Sequence, residues 1–456
     1  MDLVLRAPLA PALLQLATPN VIAALLMTGV TVADAWFVGQ LGTVALASFA
    51  VIFPFQALMQ MMAGGAIGGG VTSAVARALG RGDTPSASNV AWHALLIGTA
   101  MSSLFMLVLG AFAKPVFVLI GARGEALQGA VEYAHILFGG AAAVWLTFIS
   151  AAILRGTGDT ATPSKAITIG SVAQVALCGV LTLGYGPIAA HGVTGPAIAM
   201  LIAQGSIGLY LLLHIVAKRT PLQLGPRAFD WAPMADILRV GAPGLVNSVS
   251  ITATVVVVTA LVARHGNAAL AGYGLGSRLE LALVPVAFGL GGALTAAVGL
   301  NFGAQQFARA RRFAWLGGGV TFATATTIGG AFALLPHLWL DHFTADPQAY
   351  AFGVRYLLTV APFYGLFTAG QTLYFASQGT GRMGLPVAVG VMRFSMVAAI
   401  GVVATLNGLD VGWLYSAVAL GLVIIGAGIS ACIGFSTGWN PDKTKHAQPQ
   451  TNAGTL

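Results

Sequence analysis

The chain has 456 residues, 57% of them hydrophobic and only 7% charged, with a mean hydropathy of +0.86. A soluble protein carries roughly a quarter charged residues, so this composition excludes an ordinary water-soluble domain. In hydrocarbon every backbone polar group needs an internal partner and a crossing takes about 20 apolar residues, so long helices are expected; the alternating pattern of barrel strands is absent.

Residues 1–11 hold one basic residue, Arg6, and no small-residue cleavage site ahead of a long apolar run, so this end reads as a retained first span with no signal peptide. Apolar runs bounded by charge and by Gly/Pro clusters then fall near 9–34, 43–70, 88–113, 128–153, 162–185, 191–216, 240–262, 270–298, 312–339, 350–376, 385–406 and 412–435. The fold class they give is all-α integral membrane, with about 12 transmembrane helices. If the amino terminus is cytoplasmic, that side collects sixteen of the 21 Lys and Arg, among them Arg6, Arg77, Arg81, Arg155, Arg239, Arg309, Arg382 and Arg393. The other side keeps Lys114, Arg123, Arg264, Arg278 and Arg355. This asymmetry is the positive-inside pattern; it puts both termini in the cytoplasm and accounts for the net charge of +8 without nucleic acid.

The longest polar interruption, 217–238, has three prolines and reads as a cytoplasmic linker between a first lobe, 1–216, and a second, 239–436; the tail 437–456 is polar. The lobes repeat one another. Val38 to Ala47 aligns with Val262 to Ala271, and Gly156-Thr157-Gly158 with Pro163 aligns with Gly379-Thr380-Gly381 with Pro386, at nearly one offset. Six helices per lobe insert in the same direction, so the lobes are related by a pseudo-two-fold axis along the membrane normal. Parallel repeats of this kind are a transporter signature, with the substrate path between them.

Asp34 lies inside the first run, where a carboxylate costs roughly 2.5–3.5 kcal/mol at mid-bilayer, so it is either a working group or a hydrated cap at the interface. Glu280 follows Arg278 by two residues, a spacing that points them to different helix faces, and each needs another partner. Aromatic and methionine side chains such as Trp36, Phe53, Met59, Phe288 and Tyr364 suit a promiscuous cavity, although most such residues pack helices or face lipid. Cys178 and Cys432 stand in apolar stretches and give no disulfide or metal spacing, and the histidines show no ligand pattern. A glycine-rich nucleotide site fails for want of a preceding strand, and no Walker A sequence is present, so ATP is not the expected driving force. Neither paired acids nor a metal-binding cluster supports an enzyme.

Five motifs in order resemble the multidrug and toxic compound extrusion family over nearly the whole chain to about residue 435, in the pattern of its proton-coupled DinF-like branch. They are Val32-Ala33-Asp34-Ala35-Trp36-Phe37-Val38-Gly39-Gln40-Leu41-Gly42, Arg77-Ala78-Leu79-Gly80-Arg81-Gly82-Asp83, Leu154-Arg155-Gly156-Thr157-Gly158-Asp159-Thr160, Gly192-Val193-Thr194-Gly195-Pro196-Ala197-Ile198-Ala199 and Gly276-Ser277-Arg278-Leu279-Glu280. The resemblance implies a V-shaped pair of lobes that alternates between outward-open and inward-open states and exports small organic cations in exchange for H⁺ or Na⁺. It makes Asp34 the coupling residue and Pro19 the point where the first helix bends. Where many relatives have Asn and Asp in the fifth helix, this chain has Gln174 and Cys178, and the tenth-helix position that is acidic in some relatives is Thr368, with Gln371 one turn on. Loss of those oxygen ligands favours H⁺ over Na⁺ as coupling ion. Glu280, Gln56, Thr368, Gln371, Phe53, Met59 and Tyr364 are the candidate substrate-binding residues.

The expectation is thus a proton-coupled multidrug efflux antiporter of a bacterial-type inner membrane, monomeric, with no cofactor. Its rivals are a lipid-linked oligosaccharide flippase, which calls for a cationic cavity, and a Na⁺-coupled drug antiporter.

Overall fold

The computed structural model describes residues 2–217, 219–344, 346–436 and 439. Among these residues twelve long helices carry the fold. In the first half these are α1 (Leu9–Gly39), α2 (Thr43–Gly80), α3 (Thr84–Ala111), α4 (Gly124–Gly139 and Ala141–Gly156), α5 (Ala161–Leu183) and α6 (Gly192–Val216). The second half has α7 (Trp231–Ala263), α8 (Asn267–Gly303), α9 (Phe307–Leu334), α10 (Pro347–Val360 and Tyr364–Gly379), α11 (Gly384–Leu406) and α12 (Gly412–Phe435). Nine of them are long and apolar enough to cross a membrane singly, and α4 joins them as a pair bent by 46°. The other two are α9, which starts with Arg309, Arg311 and Arg312, and α10, which is broken at Ala361–Phe363. Among the described residues the only strand-like pairing is one bridge, Tyr185 with Ile188.

Local chemistry sets the ends of these helices. Asp83 accepts from the Ser86 amide at 2.9 Å, Asp230 from Ala232 at 3.0 Å and Asp346 from Gln348 at 3.0 Å, each capping orphan amides at a helix start. The α1–α2 and α7–α8 turns pass through Gly42 (φ 106°) and Gly266 (φ 100°), a backbone region that a side chain disfavours. These two glycines are equivalent in the repeat. Tertiary bonds repeat as well: Tyr133 donates to Gln56 at 3.2 Å in the first half, and Tyr356 to Glu280 at 2.9 Å in the second. Thr72 donates to the Ala152 carbonyl at 3.0 Å and Thr295 to the Phe375 carbonyl at 2.8 Å. Pro19 in α1 matches Pro243 in α7, and the α4 break at Gly140 matches the α10 break at Phe363.

Of the segment 217–238, residues 219–230 are irregular, and Trp231–Leu238 form the first two turns of α7. Of the tail 437–456, only Trp439 lies within the described residues. One charge sits elsewhere than its place in the sequence implied. Arg393, expected at a cytoplasmic end, is ten residues into the 23-residue α11 and 7% exposed, held over the Phe367 ring at 5.7 Å. Arg382 marks that end of α11, and Arg393 is carried inward by two and a half further turns.

The halves touch mainly through α1 and α2 of one and α7, α8 and α10 of the other. Among the described residues, the hydrogen bonds between them lie toward the end that carries Arg77, Arg81, Arg239 and Arg382. There Arg77 donates to Asp236 at 2.7 Å, to the Gly379 carbonyl at 3.4 Å and to Ser73, while Ser73 donates to the Gln378 carbonyl. Gly80 and Gly303, equivalent in the repeat, cross at the pseudo-axis: a Cβ on Gly80 would stand 3.0 Å from the Gly303 Cα, and one on Gly303 would press on the Arg77 carbonyl. Only hydrogen at both positions lets the two helix ends meet.

Candidate functional site

On the far side of this closure the halves part around a cavity of about 310 Å³. α1, α2, α4 and α5 form one wall and α8 and α10 the other. The wall is largely apolar, with Met27, Met61, Phe148, Phe288 and Phe375, and the last two rings meet edge-on at 4.8 Å. The floor, nearest the closed end, is polar: Asn20, Thr72, Arg155, Thr295 and Gln378.

Most of that polarity is used within the protein. Asn20 donates to the Leu16 carbonyl at 3.4 Å and accepts from Ser164 at 2.7 Å, and Thr72 and Thr295 bind the carbonyls named above. Gln378 donates across to the Gly65 carbonyl at 2.8 Å. Arg155, half-buried in the last turn of α4, has no hydrogen bond or ion pair among the described residues, and Gln60 higher on the wall has none either. Arg155 is the single charged residue of the lining. It was counted in the sequence as one more end-of-helix cation.

The coupling candidates sit apart from this cavity, inside the first lobe. Asp34 is 1% exposed, which excludes the hydrated-cap alternative. Its partner is the Cys178 thiol, and Oδ1 has no hydrogen-bond partner. Tyr133 is close enough to feel its charge, whereas no Lys or Arg is. Cys178 also contacts Thr182 at 3.7 Å, and Gln174 lies one turn earlier on the same buried face of α5. α5 thus brings Cys178 to Asp34, with Gln174 one turn earlier on the same helix. Pro19 leaves the Gln15 carbonyl without its usual helical donor while α1 stays continuous.

None of the seven candidate substrate residues lines the central cavity. Gln56 is buried against Tyr133, Met59 and Tyr364 are fully buried, and Thr368 donates to the Tyr364 carbonyl at 2.8 Å. Tyr364 itself donates to the Gly276 carbonyl at 3.2 Å. Phe53 is 41% exposed. Gln371 borders a small void with Asn247, Ser248 and Phe288, and its Oε1 is unpartnered. Glu280 is bonded to Tyr356 and feels the charge of Arg393, so it has a cation within its own lobe, while Arg278 is exposed. Among the described residues no three His, Cys, Asp or Glu side chains gather as a metal site.

Comparison with known proteins matches the MatE family model to residues 19–180 and 243–403, once in each half. A protein of Shewanella oneidensis named FAD transporter is 30% identical over 380 residues, 82% of each chain. The probable multidrug resistance protein YoeA of Bacillus subtilis is 25% identical over 366 residues, 77% of each. Among solved structures, a MATE protein in the straight conformation superposes with a TM-score of 0.87 at 23% identity, over 98% of this chain and 99% of that one. A MOP-superfamily transporter of Pyrococcus furiosus, described as having a binding pocket of reversed polarity, gives 0.85 at 24%, over 95% and 98%.

Proposed function

Since this chain belongs to the MatE family of multidrug and toxic compound extrusion transporters, and is a multi-pass membrane transporter rather than an enzyme, we propose that it exports amphipathic aromatic compounds in exchange for protons, with Asp34 carrying the proton. One observation bears most of the weight: Asp34 is a fully buried carboxylate with a thiol for a partner, an unpartnered oxygen and no cation nearby. Such a group holds charge only while water reaches it. A structural carboxylate in this setting would be paired, as Glu280 is with Tyr356 and the charge of Arg393. Sodium, a hard ion that wants several oxygens, would find a thiol where an oxygen is needed.

The positive-inside rule reads the basic end as cytoplasmic, and the described chain starts and finishes near that end: Arg309 donates to the Val4 carbonyl, and Trp439 borders Arg382 and Gly384. The closed end is then cytoplasmic and the cavity belongs to an outward-facing state. Protonation of Asp34 and binding of substrate compete within one cycle of alternating access between the halves, so entry of the proton goes with release of the substrate. The lining supports aromatic, amphipathic cargo through its phenylalanines and methionines. Relatives named for multidrug resistance fit that class, as does the relative named for FAD.

The test is reconstitution in proteoliposomes with a fluorescent aromatic substrate and an imposed pH or Na⁺ gradient. Transport driven by the pH gradient and lost in Asp34→Asn is expected. Na⁺-driven transport that is indifferent to Asp34 would overturn the reading.

A further inference from the structure

We propose that Arg155 is an anion-binding group at the floor of the central cavity, holding a phosphate or similar anionic substituent of an aromatic substrate. This rests on the reading above that the cavity is the transport path. The cargo that fits is then a planar organic anion, with its rings against Phe148, Phe288 and Phe375 and its charged end on the floor.

Three observations converge. Arg155 lines the cavity with no acceptor among the described residues, and no carboxylate shares the lining. The nearest acid along the chain, Asp159, is used at the Thr162 amide at 2.9 Å. An arginine left open inside a membrane protein is costly unless a ligand or water supplies acceptors, and its planar five-donor fork matches phosphate in two-pronged fashion.

The second observation comes from the internal repeat. Arg155 and Gln378 occupy equivalent positions, each one residue before the glycine that ends its helix. Gln378 reaches across the axis and donates to the Gly65 carbonyl at 2.8 Å. The equivalent acceptor for Arg155 is the carbonyl of Phe288, and Arg155 makes no such bond. One member of the pair is built into the closure and the other is left facing the cavity.

Thirdly, the remaining polar groups of the floor are satisfied by protein. Asn20, Thr72, Thr295 and Gln378 all have partners, so an incoming anion meets one unfilled set of donors at this depth. An organic cation placed there would face like charge with no acid to offset it. The sign of the cavity therefore differs from the cation preference that the sequence pattern implied.

The experiment is titration of purified protein, followed by flavin fluorescence, with riboflavin, FMN and FAD, which share one ring system and carry no phosphate, one phosphate and a diphosphate. FMN and FAD are expected to bind about tenfold or more tightly than riboflavin. That ratio should fall toward one in Arg155→Gln, persist in part in Arg155→Lys and weaken with added salt. Unchanged riboflavin binding by Arg155→Gln would show that the cavity is intact. A wild-type protein without preference for the phosphorylated flavins, or an Arg155→Gln protein that keeps it, would overturn the assignment. The same holds if Arg155→Gln slows transport of charged and uncharged flavins alike, the mark of a gate residue. Absence of proton-driven transport in a wild-type protein that retains the phosphate preference would instead sink the coupling reading and leave this site standing.

Discussion

Asp236→Asn is expected to loosen the closed end without unfolding the protein. Arg77 is the hub there, with its side chain 9% exposed, and Asp236, 35% exposed, is its one anionic partner in the closure. A hydrogen bond to a charged group contributes about 1.5–3 kcal/mol. With a third of Asp236 in water that figure is discounted to about 1–1.5 kcal/mol, since Ser73 and the Gly379 carbonyl still hold the guanidinium. At 1.4 kcal/mol per factor of ten, the open population rises about five- to twelvefold. Amide hydrogen exchange reads this directly. Residues 77–82 and 299–304, which meet at Gly80 and Gly303, should exchange faster by that factor, while α12 keeps its wild-type rates. Unchanged exchange in both segments would refute the idea that this ion pair holds the halves together.

Gly303→Ala should act at the same place by steric means: its Cβ would press on the Arg77 backbone, and overpacking of about 1–3 kcal/mol should appear as a lower thermal midpoint in detergent. Glu280→Gln leaves the buried Arg393 without its charge partner, so it should destabilise by about 1–3 kcal/mol, and addition of Arg393→Met should restore part of the loss in the same melt. If the cargo is a phosphate ester of charge near −2 leaving as one proton enters, about three charges move per cycle, worth about 7 kcal/mol per 100 mV. An inside-negative potential set with potassium and valinomycin should then accelerate FMN export, and indifference to voltage would contradict an anionic cargo. Pro19→Ala restores a helical donor to the Gln15 carbonyl, and if α1 must bend for coupling, proton-driven transport should slow while substrate binding holds.

The architecture was readable from sequence for a physical reason. Turns between hydrophobic helices need residues that tolerate unusual backbone, so Gly42 and Gly266 stand out against the apolar background and reveal the repeat. Asp34 was equally visible, because an isolated acid in an apolar run has few structural uses. The cavity was much less visible. In a membrane protein both the lipid face and the packed face are apolar, so hydropathy does not tell which side of α2 or α10 looks across to the other half. Met59 and Tyr364 satisfy every compositional criterion for cavity lining and yet point into their own lobe. Depth is also poorly encoded: α2 spans 38 residues and α8 37, both well beyond a bilayer, so an arginine in the last turn of α4 stands beside the middle of longer neighbours.

The wide π turn in α2, Met61–Ile67, carries a last consequence. Such a turn is an α-helix with one surplus residue, and everything after it is rotated by about 100° relative to an unbroken helix. In this protein the rotated part, Gly68–Gly80, contains Ser73 and Arg77, while the turn itself supplies Met61, Gly64 and Gly65 to the cavity wall. Deleting any one residue of this stretch would let the helix close up into regular form and swing Ser73 and Arg77 away from Gln378 and Asp236. The shape of the chamber and the alignment of the seal below it therefore share a single insertion, so the chain cannot lose that residue and keep either one.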